Sequence, residues 1–381
     1  MGPLAGLRVI EIAGRGPGPF AGMMLADMGA DVLRVDRADD RGRPEAPDIR
    51  LELVNRGRRS IALDLKQPGG LAVLFRLVEQ ADALFEGFRP GVAERLGFGP
   101  AACLARRPSL VYARATGWGQ DGPLAPAAGH DIDYIALAGA LDPIGPADGP
   151  PAVPLNLVGD YAGGGMLLAF GIVCGMLEAR ASGRGQVVDA AMIDGASLLM
   201  TLFHGRRLNG TWRDARGSNL LDGGFPYYGV YETKDGRYVA IGAIEPKFHR
   251  ELLRKLGLDD APEPLRRPDW PAMRARLAAA FTTRTRDEWA SLFDGSDACL
   301  APVLGLGEVA SHPHIAARQG FTEAGGVSQP SPAPRFSRTP GEIILPPPRP
   351  GQHTSQVLRD CGYDEDEIGR LLAASAARQA D

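Results

Sequence analysis

Only four cysteines occur in the 381 residues, and no two of them form a CxxC pair. Cys103, Cys174, Cys299 and Cys361 are far apart, which argues against a disulfide framework or zinc ribbon and predicts reduced, mostly buried thiols. Excess basic charge is also missing. Forty-two Lys and Arg stand against 46 Asp and Glu, a formal net charge of −4 that excludes a general nucleic-acid binder, although local arginine clusters can still hold phosphates. The start, Met-Gly-Pro-Leu-Ala-Gly-Leu-Arg, has no signal-peptide layout, and the end, Arg-Gln-Ala-Asp, is not a peroxisomal tripeptide. The longest apolar run, 163–177, is too short and too glycine-rich for a membrane span and reads as a buried core helix. No internal repeat is found. What remains is ordinary globular composition, 44% hydrophobic and 23% charged, at a length comfortable for two domains. A soluble, cytoplasmic protein without membrane or nucleic-acid partners is expected.

The first half alternates strand and helix signals. Leu7–Ala13 reads as a strand, 14–19 as a loop, Phe20–Gly29 as a helix and Ala30–Asp36 as a second strand. A strand, a Gly-rich turn, a helix and a strand ending in an acidic residue outline a dinucleotide site. The detail fits poorly, because Pro17 and Pro19 stand where the fingerprint wants a helix opening and a third glycine, and Arg37 follows Asp36. A plain parallel βαβ unit is the simpler reading. Arginines then gather: 34, 37, 41, 43, 50, 56, 58 and 59. Most read as a solvated loop. Arg37, however, falls at a strand end, where open α/β sheets bind ligands. Strands at Ser60–Leu65 and Ala83–Phe88 and a helix from Pro68 continue the pattern, and Arg89 and Arg95 follow the later strand. Arginines at the edge of one sheet point to a polyphosphate ligand.

A strand at Leu110–Ala115 leads into a turn-rich loop, Gly117–Pro123. The central stretch contains Gly129-His130-Asp131 and Asn156-Leu-Val-Gly-Asp160, then the apolar run. An acid just before such a run is a helix N-cap signal, which would set Asp160 among unpaired backbone N–H groups at a positive helix end. A carboxylate, an oxyanion site and an upstream histidine together outline a proton-transfer site. Beyond a strand at 185–192 and a helix over 194–208, residues 209–224 read as a linker. Tyr227–Gly242 is a hairpin with an Asp-Gly turn, Glu245–Leu256 is a helix, and helices at 271–281 and 286–293 complete a small α+β domain. The Pro-rich 328–350 segment and helices at 353–361 and 364–377 look like a return to the first domain.

Taken together, Gly117-Trp-Gly-Gln-Asp-Gly-Pro123, Gly129-His-Asp131, Asn156–Asp160, Gly185–Met192, Leu221-Asp-Gly-Gly224 and Ile241–Pro246 resemble the family III CoA-transferases, in their α-methylacyl-CoA racemase branch. The resemblance implies an α/β fold: a large doubly wound, Rossmann-like domain (1–208), a linker (209–226), a smaller α+β domain (227–325) and a returning C-terminal segment (326–381). It also implies an interlocked homodimer with active sites between the large domain of one chain and the small domain of the other. The implied reaction exchanges the C2 proton of a 2-methylacyl-CoA thioester between two faces, with CoA entering as part of the substrate and no separate cofactor.

That branch supplies a histidine and an aspartate as the two acid/base groups, matching His130 and Asp160. Opposed acid/base groups suit such a transfer, since histidine changes role near neutral pH. Glu245 matches a glutamate that orients the histidine, Asp131 and Asn156 match residues that support the two bases, and Arg37, Arg89 and Arg95 are matched to the CoA phosphates. The nearest rival is a CoA-transferase using Asp160 as a nucleophile. Its branch usually lacks the histidine of Gly-His-Asp and tends to carry a Gly-rich loop where this chain has 242–246. A non-catalytic acyl-CoA binder would keep the arginines without needing His130, Asp160 and Glu245 together. His312-Pro-His314 superficially resembles a metal pair but has no cysteine or acidic cluster beside it, so no metal is expected. His204 and His249 fall in helical segments and read as structural.

Overall fold

The computed structural model describes residues 2–39, 48–261 and 265–380; Arg41 and Arg43 lie outside that set. The chain forms two compact units, one of 1–138, 155–199 and 316–381 and the other of 139–154 and 200–315.

In the first unit, β1 (Arg8–Ile12), β2 (Asp31–Arg37), β3 (Arg58–Leu63), β4 (Ala83–Glu86), β5 (Val111–Thr116) and β6 (Gln186–Ala191) form one parallel sheet in the order 3-2-1-4-5-6. The short strand Ala377–Arg378 adds antiparallel to β3. The central strands are covered on both faces, so their apolar residues are buried on either side. Ile10, Leu33 and Leu84 enter one core with α2 (Pro68–Val78) and the C-terminal helix Thr354–Asp360, while Val9, Val32 and Phe85 enter the other with α1 (Pro17–Asp27). The sheet order reverses between β1 and β4, so a crevice opens at the C-terminal ends of these strands.

Helix α1 starts at Pro17, earlier than the expected Phe20, and both prolines sit in its first turn where no N–H is needed. Gly16 caps it at φ 67°, a left-handed conformation that favours glycine. After α3 (Val92–Arg95), α4 (Pro100–Arg106) and α5 (Asp131–Leu137), a π-helix over Leu157–Met166 runs directly into α6 (Leu167–Ser182).

This corrects two expectations. The helical run covers 26 residues, not the 15 or so of the apolar stretch, and is long and apolar enough to cross a membrane by length and composition. One face (Leu168, Ile172, Met176) packs on the sheet, while Phe170 and Leu177 are exposed. The glycines do not end the helix because they let its backbone meet α7 (Met192–Leu199) directly: a Cβ on Gly195 would lie 1.9 Å from the Gly163 carbonyl oxygen. The helix expected over 194–208 is broken at Met200, and its second half belongs to the other unit.

The second unit contains an antiparallel sheet of β7 (Tyr228–Glu232), β8 (Tyr238–Gly242) and β9 (Leu300–Pro302). The Asp235-Gly236 turn joins the first two strands, with Gly236 at φ 71°. Tyr227, Ile241, Leu252, Leu277, Phe281 and Trp289 form its core, to which the three expected helices contribute. Residues 209–224 are not a bare linker. Buried Asn219 bonds Asp222 through its backbone and its side chain at 2.9 and 2.8 Å, closing a folded loop. Residues 139–154 and 200–208, expected with the first domain, join this unit, and Arg216 donates to carbonyls of Asp142, Pro146 and Gly149.

Candidate active site

Four predicted residues come together in the first unit. His130 precedes α5, and its backbone N–H donates to the Asp133 carboxylate at 2.9 Å, fixing the helix entry. The next residue, Asp131, is buried, and its Oδ1 accepts the backbone N–H of Asp160 at 2.6 Å. Asn156 Nδ2 donates to Asp160 Oδ2 at 3.1 Å. On another side the Asp160 carboxylate lies against Gly16, 3.2 Å from where a Cβ would stand.

These contacts correct the reading of Asp160 as an N-cap. The residue before the helix is Asn156, and Asp160 lies inside the π-helical first turn. Its own N–H is occupied by Asp131, so that group is not free to serve as an oxyanion donor.

The environment raises the Asp160 carboxyl above its ordinary pKa. Burial is the leading cause, the Asn156 hydrogen bond opposes it, the Asp131 charge adds to it, and the His130 charge works against it. His130 is itself exposed, so the two groups face different surroundings within one electrostatic neighbourhood. Tyr134 backs the histidine. Its hydroxyl donates to the carbonyl of Gly129, and its ring meets the Trp118 ring edge-on at 4.7 Å. The Gly117–Pro123 motif therefore packs against the segment that presents His130.

A cavity of about 310 Å³ lies at the C-terminal ends of β1 to β3, with a floor of Ile12, Val35 and Leu63 and a wall of Phe88 and Leu96. Arg37, Lys66 and Arg95 line it, alongside Asp36, Asp39 and Asp64. Arg89 does not line it. That arginine is exposed and close enough to Tyr134 for its charge to act there. The floor also bears on the dinucleotide outline. The Asp36 carboxylate, which would have to meet ribose hydroxyls, is buried and accepts from Arg34 Nε at 3.0 Å and Ser60 Oγ at 2.7 Å.

Glu245 is in the second unit, exposed, at the residue preceding the helix Pro246–Leu256. His249 is buried and stacked on Tyr227 at 4.7 Å. Among the described residues no group of three or more His, Cys, Asp or Glu is placed to hold a metal ion. The thiols depart from expectation: Cys103 and Cys361 are buried, but Cys174 and Cys299 are exposed. Sequence reasoning also missed a buried charged cluster, Glu86 with Arg114, below the cavity wall. Its only sequence signal was two charged residues inside otherwise apolar strands.

The sequence model of CoA-transferase family III matches residues 4–354. The chain is 44% identical over 372 residues to a mouse protein named alpha-methylacyl-CoA racemase, covering 97% of this chain and 96% of that one. Identity to the human protein of the same name is 43%, again over 97% of this chain and 96% of the relative. Among solved structures, a CAIB/BAIF family protein from Brucella suis superimposes with a TM-score of 0.82 at 25% identity, covering 94% of this chain and 99% of that one.

Proposed function

Because this chain belongs to CoA-transferase family III, we propose that it is a racemase interconverting (2R)- and (2S)-2-methylacyl-CoA thioesters. The observation that carries this reading is the pairing of His130 with a partly buried Asp160 of raised pKa, in a chain closely similar to proteins named racemase. A C2 proton beside a thioester carbonyl is weakly acidic, and its exchange between faces needs one group to remove it and another to deliver one. Asp160 has the properties of the first kind of partner. A carboxyl made more basic by burial takes a proton more readily than an ordinary one. His130, in a wetter setting, is the complementary group. In one direction a base takes the C2 proton, the electrons move onto the thioester oxygen as an enolate, and the other group reprotonates C2 from the opposite face. Asp131 and Asn156 hold Asp160 in position.

The cavity with Arg37 and Arg95 fits the CoA portion of the substrate, its guanidinium groups pairing with phosphates and its apolar floor with the rest. Arg89 keeps the same phosphate assignment on resemblance alone. Glu245 is assigned to orienting His130, also on resemblance. The interlocked homodimer belongs to the same proposal, and the exposed Phe170 and Leu177 on α6 are consistent with a covering partner. Light scattering of the purified chain tests it.

The reaction is tested by proton NMR with each enantiomer of a 2-methylacyl-CoA in D2O, without acceptor acid. Loss of the C2 proton signal, collapse of the methyl doublet and scrambling from both enantiomers are expected. If C2 stays protonated while CoA moves to an added carboxylate, the chain is a transferase with Asp160 as nucleophile.

A further inference from the structure

Glu86 closes β4, and Arg114 lies opposite it on β5, at a register position paired across the sheet. Their side chains are nearly dry, with 3% and 10% exposure, and the Glu86 Oε1 lies 3.6 Å from Arg114 Nε. The other carboxylate oxygen, Oε2, accepts the backbone N–H of Phe88 at 2.6 Å. The guanidinium spreads its remaining donors outward. Nη2 reaches Glu94 on α3, and Nη1 reaches Gln120 Oε1 at 2.5 Å in the Gly117–Pro123 loop. Asp189 on β6 then accepts the Gln120 backbone N–H at 3.2 Å.

Two of these anchored points belong to the cavity wall. Phe88 lines the cavity directly, and Glu94 neighbours Arg95, which lines it too. A buried ion pair rarely adds net stability over apolar residues of the same volume, so its presence calls for a reason other than stability. Its donors and acceptors go to loop backbone and to a cavity-bearing helix, which is what positioning requires.

We propose that Glu86 and Arg114 are a positioning pair for the CoA-binding cavity, holding Phe88 and the Arg95 helix in the geometry that receives the nucleotide end of the substrate. Neither touches the ligand; they act through the wall. The inference rests on the reading of that cavity as the CoA site.

The pair is also sensitive to protonation. Burial pushes the Glu86 carboxyl up to about 7; the Phe88 N–H and Arg114 pull it down, and Glu94 and Asp189 push it further up. Tyr112 on β5 is the other titratable group it influences, and that phenol stays protonated throughout. Below neutrality Glu86 becomes neutral, Arg114 keeps Glu94 but loses its buried counter-charge, and the Phe88 N–H loses an anionic acceptor. The cavity wall then loosens.

Calorimetric titration with coenzyme A itself tests this without depending on turnover. The proteins compared are the full wild-type chain, E86Q and E94Q at pH 6, 7 and 8. E86Q copies the neutral state, so its Kd is expected to be about fivefold above wild type at pH 8 and equal to it at pH 6. Taking the ratio cancels the titration of the CoA phosphates. E94Q takes the negative charge off the half-exposed end of the Arg114 tether while keeping a neutral acceptor, and is expected to weaken CoA about threefold at pH 8 with an unchanged Tm. A ratio for E86Q that stays constant across the pH range, or an E94Q that is folded and binds like wild type, overturns the proposal. A wild-type chain that does not bind CoA overturns instead the reading of the cavity on which it rests.

Discussion

The Asp131 carboxylate holds the Asp160 backbone N–H at 2.6 Å, across 29 residues of sequence. One acid thus fixes the main chain of another while also pressing its negative charge on it. The two effects separate experimentally. In D131N the amide oxygen can still accept the N–H, but the charge is gone. That charge raises the Asp160 pKa, so its removal lowers it. The acid limb of the kcat profile, set by Asp160 as base, is expected to move to lower pH. An unmoved limb in a folded D131N counts against Asp160 as the titrating base.

Substitution at Asn156 should do the reverse. Its Nδ2 donates to Asp160 at 3.1 Å and favours the ionised form, lowering the pKa. In N156L the Asp160 pKa rises and the acid limb moves to higher pH. Misplacement of the base should also cost roughly tenfold in kcat. A pH series of C2 exchange rates reads both effects.

Removal of either base should end racemisation. H130A and D160A are each expected to lower the rate by roughly 10²–10⁴-fold, the usual contribution of a positioned acid or base. Exchange in D2O from each enantiomer separately then shows which group serves which face.

Arg58 has no exposed surface and lies 2.7 Å from Glu11, which is equally buried. It also donates to the Val54 carbonyl at 2.5 Å and to that of Pro19 in the first turn of α1. R58M leaves Glu11 without its strongest counter-charge in the middle of β1. The expected loss is about 3–5 kcal/mol, measurable by urea unfolding.

NADH titration should give no binding. The Asp36 carboxylate is already engaged by Arg34 and Ser60 and cannot turn to a ribose. Quenching of tryptophan fluorescence by NADH at micromolar concentration would contradict this.

The sheet was legible because its central strands are buried on both faces and carry short apolar stretches, as in Val9-Ile10 of β1 and Ala83-Leu84-Phe85 of β4. Pro68, Pro246 and the Asp235-Gly236 turn marked their elements by backbone chemistry alone. Four residues that the structure brings together could be picked out because His130, Asp131, Asn156 and Asp160 fall in short, dense motifs. The role of the Asp160 N–H could not be read, since its partner is distant in sequence and the π-helical register carries no composition signal. Arg89 was grouped with Arg37 and Arg95 by its position after a strand, but a strand end does not say which way the chain then turns. Cys174 and Cys299 were misjudged because burial depends on packing that a residue's own polarity does not report.

Gly163 and Gly195 meet without a side chain between them. Where two helices meet through bare backbone, with a hypothetical Cβ only 1.9 Å from a carbonyl oxygen, there is no side chain to exchange for another. Neither position can take even a methyl group without a shift of main chain. The two helices are therefore locked in depth and can differ between relatives only by moving together. Asp160, three residues before Gly163 on the same helical run, inherits that fixed position.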